Sequence, residues 1–459
     1  GVNVFRMIKH LDELAPGKYT ELLDRFKTIQ ARINEALVRP AVTEEGPLVI
    51  PLREVTRDMA DQVGSKMANI AEIHNAIDLP VPPGFVITVY AYGEFIRNGD
   101  LPSEIRRRIQ TADLEKIDDL YRLSSDLQNL IISAPVPPDA EEAIRKAYKE
   151  VEERAGQGTC VSVRSSALGE YAEGRSFAGQ FRSELNVSEE SLRHAYKTVA
   201  ASKYGLPALT YRLNRGIPDE DVAMCVGCMA MINASAGGVM YSSNPLNIRD
   251  SSVIINSVWG LPKAVVDGSV DPDVFVICKD EPMHVLERRV TDKELQYVCF
   301  PDEGLCRMEL TLEKRTQQSL TDEQALALAH MAKKLENYYG SPQDIEWAVT
   351  ADGSVYFLQC RPLKQFQLET KAAVSAAAPT VCAPVLAQGG VTASSGVACG
   401  PAFVVRSDVD KLKFPPGAVL VTAQSLPGWA PLLGQAAAVV TEIGGVAGHL
   451  ANVAREFGV

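Results

Sequence analysis

The segment TEIGGVAGHLANVAREFGV at 441–459 puts a histidine where a phosphate is easily held. Gly444 and Gly445 let a backbone approach a bulky anion, and the helix expected to begin near Gly448 offers free N–H donors and the positive end of its dipole. His449 lies at that helix start, where an imidazole can attack phosphorus and the same N–H groups stabilise the charge of the covalent product. A histidine that only caps the helix fits the same residues.

A phosphohistidine needs a donor, and residues suited to a triphosphate and its magnesium lie far away in the chain. Lys66, in QVGSKMANIAEI, follows a Gly-Ser turn at a helix start, where its ammonium meets phosphate oxygens beside the helix N-terminus. Arg164, in VSVRSSALGE, is preceded by β-forming residues and followed by Ser165 and Ser166, which combines a guanidinium fork with two hydroxyls and the amides of a turn. Glu346 and Gln359 are oxygen donors suited to magnesium, and Arg361, two residues beyond Gln359, shares its strand face. Each has a plainer counterpart: a surface lysine, a structural strand-end arginine, a polar ladder on an exposed antiparallel face.

The elements that must position these residues follow from local pattern. Residues 1–40 carry apolar positions at helical spacing (Leu11, Leu14; Leu22, Leu23, Phe26, Ile29, Ile33, Leu37), two amphipathic helices whose apolar faces are expected to pack. Residues 64–77 read as helix, and VPPGFVIT at 81–88 as a turn entering a strand. After a helical, charged stretch at 102–155, the runs CVSVR, VAMCVGCMAMI, GGVMYSS and SVIINSVWG predict consecutive strands of a sheet. Thr321 to Gln324 has the spacing of a capping box, opening a helix closed by Gly340 with Pro342 beyond. IEWAVTADGSVYFLQCR alternates on both sides of Ala351-Asp352-Gly353, a β-hairpin with Glu346, Gln359 and Arg361 on one face. The Ala-rich stretch between Lys364 and Gln388 reads as an interdomain linker, followed by short strands separated by Gly, Pro and Ser turns.

At 459 residues the chain is expected to form two to four domains, given roughly 100–200 residues per domain. A formal charge of −12 argues against nucleic acid as a partner. No run approaches a membrane span and the N-terminal residues lack a secretory apolar region, so a cytoplasmic protein is expected. The nine cysteines lack the spacing of a disulfide framework, and Cys225-x-x-Cys228 lies in an apolar run with no second pair, which favours core thiols over zinc. The chain begins without Met and stops at Val459 directly after a helical pattern, so both ends are expected to be cut.

Taken in order, GSKMANIAEI with VPPGFVIT, VSVRSSALGE with SFAGQF, GGVMYSSNP, WGLPKAVVDG with DPD, PQDIEWAV with LQCRPL, and TEIGGVAGHLANVAREFGV resemble the phosphoenolpyruvate synthase and pyruvate phosphate dikinase family over roughly residues 55–459. The resemblance implies a multidomain α/β and α+β chain. Its parts are an N-terminal helical extension (1–50), an ATP-grasp-like nucleotide-binding domain (51–366), an Ala-rich linker (367–384) and the start of a swivelling α/β phosphohistidine domain (385–459). It implies that Lys66, Arg164 and Arg361 contact phosphate, that Glu346 and Gln359 bind Mg2+, and that His449 receives the β-phosphoryl group of ATP as AMP leaves. It also implies a small-molecule acceptor, pyruvate in the family, bound by a missing domain or another subunit, and leaves room for a homo-oligomer. Antibiotic or phenol phosphotransferases share the same ATP half, and a non-catalytic nucleotide-binding regulatory module is the reading from another class. Three positions depart from the family pattern: Ala447-Gly448 stands for Thr-Ser, which removes a hydroxyl beside the histidine; Gly260-Leu261-Pro262-Lys263 stands for Gly-Leu-Gly-Glu; and Gly227 stands for a glutamine near the adenine pocket.

Overall fold

A computed structural model describes residues 2–15, 17–36, 45–114, 116–170, 180–247, 250–300, 304–363, 388–407, 410, 413–425 and 427–459. The expected linker 367–384 and residues 176–179 of SFAGQF lie outside the described residues. The chain divides into two compact units, Gly1–Gly46 and Pro47–Val459. The first holds two helices, Val2–Leu14 and Thr20–Ala36. Their apolar stripes are less covered than expected: Ile8 is buried, whereas Leu11, Leu14, Leu22 and Ile29 are exposed. Two short helices side by side hide only part of each other's apolar surface.

In the second unit the strands expected to share one sheet divide between two. Strands β1 (Val49–Pro51), β2 (Gly84–Ile87), β3 (Val161–Ala167), β4 (Ser183–Val187) and β5 (Met224–Ala230) form an antiparallel sheet of order β1-β2-β5-β3-β4. Strands β6 (Ala234–Tyr241), β7 (Val253–Trp259), β8 (Asp273–Cys278), β9 (His284–Arg289), β12 (Gln343–Thr350) and β13 (Val355–Pro362) form a second, of order β13-β12-β6-β7-β8-β9. Only Met231, Ile232 and Asn233 separate β5 from β6, so the chain changes sheet in a turn that composition does not distinguish from a hairpin. The hairpin of β10 (Leu295–Phe300) and β11 (Gly304–Glu309) stands apart.

The first sheet packs one face on the helices Leu101–Thr111, Ile117–Ser133, Pro138–Ala155 and Glu189–Ala201, through Phe85, Ile87, Val161, Val163 and Val226. A second core joins both sheets through the helix Ser65–Asn75, whose Met67, Ile70, Ala71 and Ile73 are buried among Val86, Met229, Met240, Ile345 and Trp347. Cys225 belongs to this core and Cys228 to the first, because a three-residue offset on a strand points them to opposite faces. Burial pushes both thiols well above the ordinary cysteine range, so they are inert packing groups rather than a joint metal site.

The helix Asp322–Tyr339 has both bonds of its capping box: Gln324 N–H donates to Thr321 Oγ1 (3.2 Å) and Thr321 N–H to Gln324 Oε1 (2.9 Å). Gly340, at φ 67°, ends it in the left-handed region. Strands β14 (Ala402–Val404), β15 (Val419–Gln424) and β16 (Ala438–Ile443) make a parallel sheet, followed by the helix His449–Phe457. Its core gathers Leu420, Trp429, Leu433, Leu450, Val453 and Ala454.

One buried cation makes a stability prediction. Lys203 Nζ donates to the carbonyls of Val222 (2.8 Å) and Asp219 (3.1 Å) and lies 5.1 Å from the centre of the Tyr204 ring. Burial pulls its ammonium down to about 8. Between that value and the ordinary lysine value of about 10.4 the unfolded chain holds the extra proton, so this group's contribution to stability rises with pH across the interval. Buried thiols act oppositely over the same range. The stability of the wild type relative to Lys203→Met, from urea denaturation, should therefore rise between pH 7.5 and 9.5; a constant difference would refute the assignment.

Candidate functional site

A cleft of about 570 Å³ opens between the two sheets, lined by residues of β3, β5, β12 and β13 and by the ends of two helices. Its floor is the β12–β13 hairpin. Antiparallel register sets Glu346 opposite Gln359 and Asp344 opposite Arg361, and the two-residue repeat brings all four side chains to one face. Arg361 holds Asp344 through Nε (2.9 Å) and Nη2 (2.8 Å). Burial pushes the Asp344 carboxyl above its usual range while the Arg361 charge opposes the shift. Asp344 was absent from the expected site, although its spacing of two from Glu346 could have pointed to it.

Arg164 reaches the hairpin from the other sheet. Its Nη2 donates to Glu346 Oε2 (2.7 Å) and its Nη1 to the Leu358 carbonyl (2.7 Å), and neither charged side chain is more than 16% exposed. One carboxylate thus ties the two sheets together across the cleft. The expected pair of hydroxyls beside Arg164 is divided, because Ser166 Oγ accepts from the Met67 N–H (3.2 Å) and so caps the Lys66 helix instead.

That helix starts at Gly64, whose φ of 77° suits glycine. A Cβ there would sit 2.1 Å from the Ser166 carbonyl oxygen, so strand and helix meet where only a hydrogen fits. Gly64→Ala should cost roughly 2 kcal/mol or more of stability, from the left-handed backbone and the clash together. Urea denaturation measures it, and a loss under about 0.5 kcal/mol, the scale of a neutral surface change, would contradict this packing. Lys66 extends from the first turn, its Nζ 3.0 Å from Glu170 Oε1. Glu170 lies in the VSVRSSALGE segment but was not singled out, since a lone acid after a glycine carries no periodic signal.

The departures at Gly227 and Lys263 have structural neighbours. Gly227 lies opposite Arg164 on β5, and a Cβ there would be 2.1 Å from Met67 Sδ, so the methionine fills the space a longer residue would need. Lys263, at the cleft wall, pairs with Asp267 (3.2 Å) and lies 5.4 Å from the centre of the Tyr297 ring.

The parallel-sheet segment closes one side of the cleft. Ala447 packs with Val239, Tyr241, Val265 and Leu295, Gly444 N–H donates to Asp271 Oδ1 (3.1 Å), and Tyr241 Oη donates to Asn452 Oδ1 (3.3 Å). Gly448 caps the His449 helix, and the helix's first carbonyl bond runs from Asn452 N–H to Gly448 O (3.0 Å). The N–H groups of residues 449–451 therefore have no carbonyl in a preceding turn. Ala447 and Asn452 both line the cleft, which sets the start of this helix at its edge. The direction of the His449 imidazole lies outside the described structure. The buried Ser425 Oγ has no hydrogen-bond partner among the described residues and lies 3.2 Å from where a Cβ on Gly448 would be, close to the hydroxyl missing from Ala447-Gly448.

Among the described residues no three His, Cys, Asp or Glu side chains gather in the manner of a preformed metal site. A hard cation that keeps several waters and shares substrate phosphates needs only one or two oxygen ligands from protein, and Glu346 with Gln359, opposite each other on the hairpin, would fit that set. Among the described residues, no helix is long and apolar enough to cross a membrane.

Comparison with known proteins gives two family matches: residues 60–380 to the pyruvate phosphate dikinase AMP/ATP-binding domain, and residues 414–459 to the mobile domain of PEP-utilising enzymes. Similar curated proteins include the probable phosphoenolpyruvate synthase of Staphylothermus marinus, 33% identical over 91% of this chain and 54% of its own length. The phosphoenolpyruvate synthase of Pyrococcus furiosus is 33% identical over 88% of this chain and 54% of its own. The chain thus spans about half the length of the curated relatives it matches. Among solved structures, the ADP complex of N5-carboxyaminoimidazole ribonucleotide synthetase is 12% identical over 48% of this chain and 38% of its own, with a TM-score of 0.22, too slight a likeness to argue from.

Proposed function

The chain belongs to the pyruvate phosphate dikinase AMP/ATP-binding family, and from that premise we propose that it binds ATP in an ATP-grasp-like cleft and that His449 attacks the β-phosphorus, expelling AMP, after which water cleaves off the γ-phosphate as orthophosphate and leaves the β-phosphoryl group on the histidine. The observation that carries this is convergence: Lys66, Arg164, Glu346, Gln359 and Arg361, spread over about three hundred residues, line one cleft, and the His449 helix begins at its edge.

Phosphoryl transfer asks a protein mainly for positioning and for neutralisation of the equatorial oxygens. Lys66 binds phosphate as a compact point charge beside the first turn of its helix, while Arg164 and Arg361 hold oxygens through planar forks. Glu346 and Gln359 are the residues that would hold magnesium, which when bound neutralises phosphate oxygens. The apolar wall of Met229, Met231, Ile232, Leu261 and Leu305 suits the adenine face and excludes water from the charged end. His449 attacks as a neutral imidazole, and the free amides of residues 449–451 stabilise the charge it acquires. The segment that bears His449, matched to the mobile domain of PEP-utilising enzymes, carries the phosphohistidine to a second site. The relatives' names support pyruvate as the acceptor there, giving phosphoenolpyruvate. The direct test is AMP formation by this chain with Mg2+ and ATP, which stops in His449→Ala.

A further inference from the structure

Four cations line the cleft and each is held by a carboxylate, but the pairs made by the three assigned to phosphate, Lys66, Arg164 and Arg361, are not equivalent. Glu346 faces Gln359 as well as Arg164, and Asp344 takes two nitrogens of Arg361. Glu170 is 1% exposed, its Oε1 is 3.0 Å from Lys66 Nζ, and its Oε2 has no partner among the described residues. Among the described residues, the one charged group that meets this buried carboxyl is the lysine assigned to phosphate.

We propose that Glu170 is the positioning residue of Lys66, and that nucleotide binding moves the ammonium from this carboxylate to a phosphate oxygen and loads a solvent proton onto Glu170. Lys66 stays protonated throughout. The ion pair opens, a new one forms to phosphate, and one proton passes from buffer to the Glu170 carboxylate. The physical reason is that a carboxylate left buried without its counter-charge costs more than taking up a proton. Among the described residues, neighbouring charges offer no substitute: Arg164 is taken by Glu346 (2.7 Å), Arg361 by Asp344 (2.8 Å), Lys263 by Asp267 (3.2 Å), and Glu184, also in the cleft, by Arg182 (2.8 Å).

This rests on the proposed nucleotide site, and the experiment separates the two. ATP with Mg2+ is titrated calorimetrically into the full chain at pH 7.5 in buffers of different ionisation heat, which counts protons. The wild type should take up about one proton more per nucleotide than Glu170→Gln, and its affinity should fall up to about tenfold per pH unit as pH rises through the uptake range. In Glu170→Gln that extra slope should vanish, whereas Glu170→Asp, which keeps the carboxylate, should retain it. Equal uptake by the wild type and Glu170→Gln overturns the proposal while leaving the nucleotide site standing. Should Glu170→Gln fail to fold, absence of any uptake by the wild type overturns it equally. No binding of ATP by the wild type removes the site itself, and this inference with it.

Discussion

Glu346→Gln should reduce AMP formation by about 100- to 1,000-fold, the scale on which one preorganised electrostatic contact to a phosphoryl or acyl transition state is worth. The substitution keeps the shape and an acceptor oxygen for Arg164 Nη2, so the 2.7 Å contact between the sheets survives in neutral form. What is lost is the charge assigned both to Arg164 and to magnesium. These two roles compete: the carboxylate that holds Arg164 before nucleotide arrives is the one a metal would draw on afterwards. Arg164, released from a full counter-charge, should bind metal-free triphosphate at least as tightly as the wild type does, while turnover with Mg2+ collapses. Measured turnover within about threefold of wild type would mean that Glu346 only fastens the two sheets. A parallel loss of metal-free nucleotide affinity would mean that the cleft had been distorted rather than discharged.

What the chain discloses about its own structure depends on how local the cause is. The helix Asp322–Tyr339 was legible because both caps lie within it, Thr321 with Gln324 at one end and Gly340 at the other. The β12–β13 hairpin was legible because alternation and the Ala351-Asp352-Gly353 turn are local, and register then makes neighbours of Glu346 and Gln359. The division of β5 and β6 between two sheets was not, because pairing partners lie tens to hundreds of residues away. The same distance hid the roles of Ser166 and Met67, each of which meets a partner about a hundred residues or more away. Glu170 and Ser425 are illegible in the sequence for another reason. Their interest lies in burial and in oxygens that have no partner among the described residues, which no residue type or spacing announces.

His449 is proposed to receive phosphorus from ATP bound in this cleft. The most direct measurement is incubation of the chain with Mg2+ and ATP labelled at either the β or the γ position, followed by counting acid-labile label on wild type and on His449→Ala. Neutral imidazole is required for attack, so labelling is followed at pH 7.5, above the unperturbed histidine value of about 6.5. Retained, acid-labile label from β-labelled ATP is expected on wild type only, with AMP formed in step with it and the γ label released as orthophosphate. Label that persists in His449→Ala, or wild type that binds ATP yet acquires no β label, would contradict it.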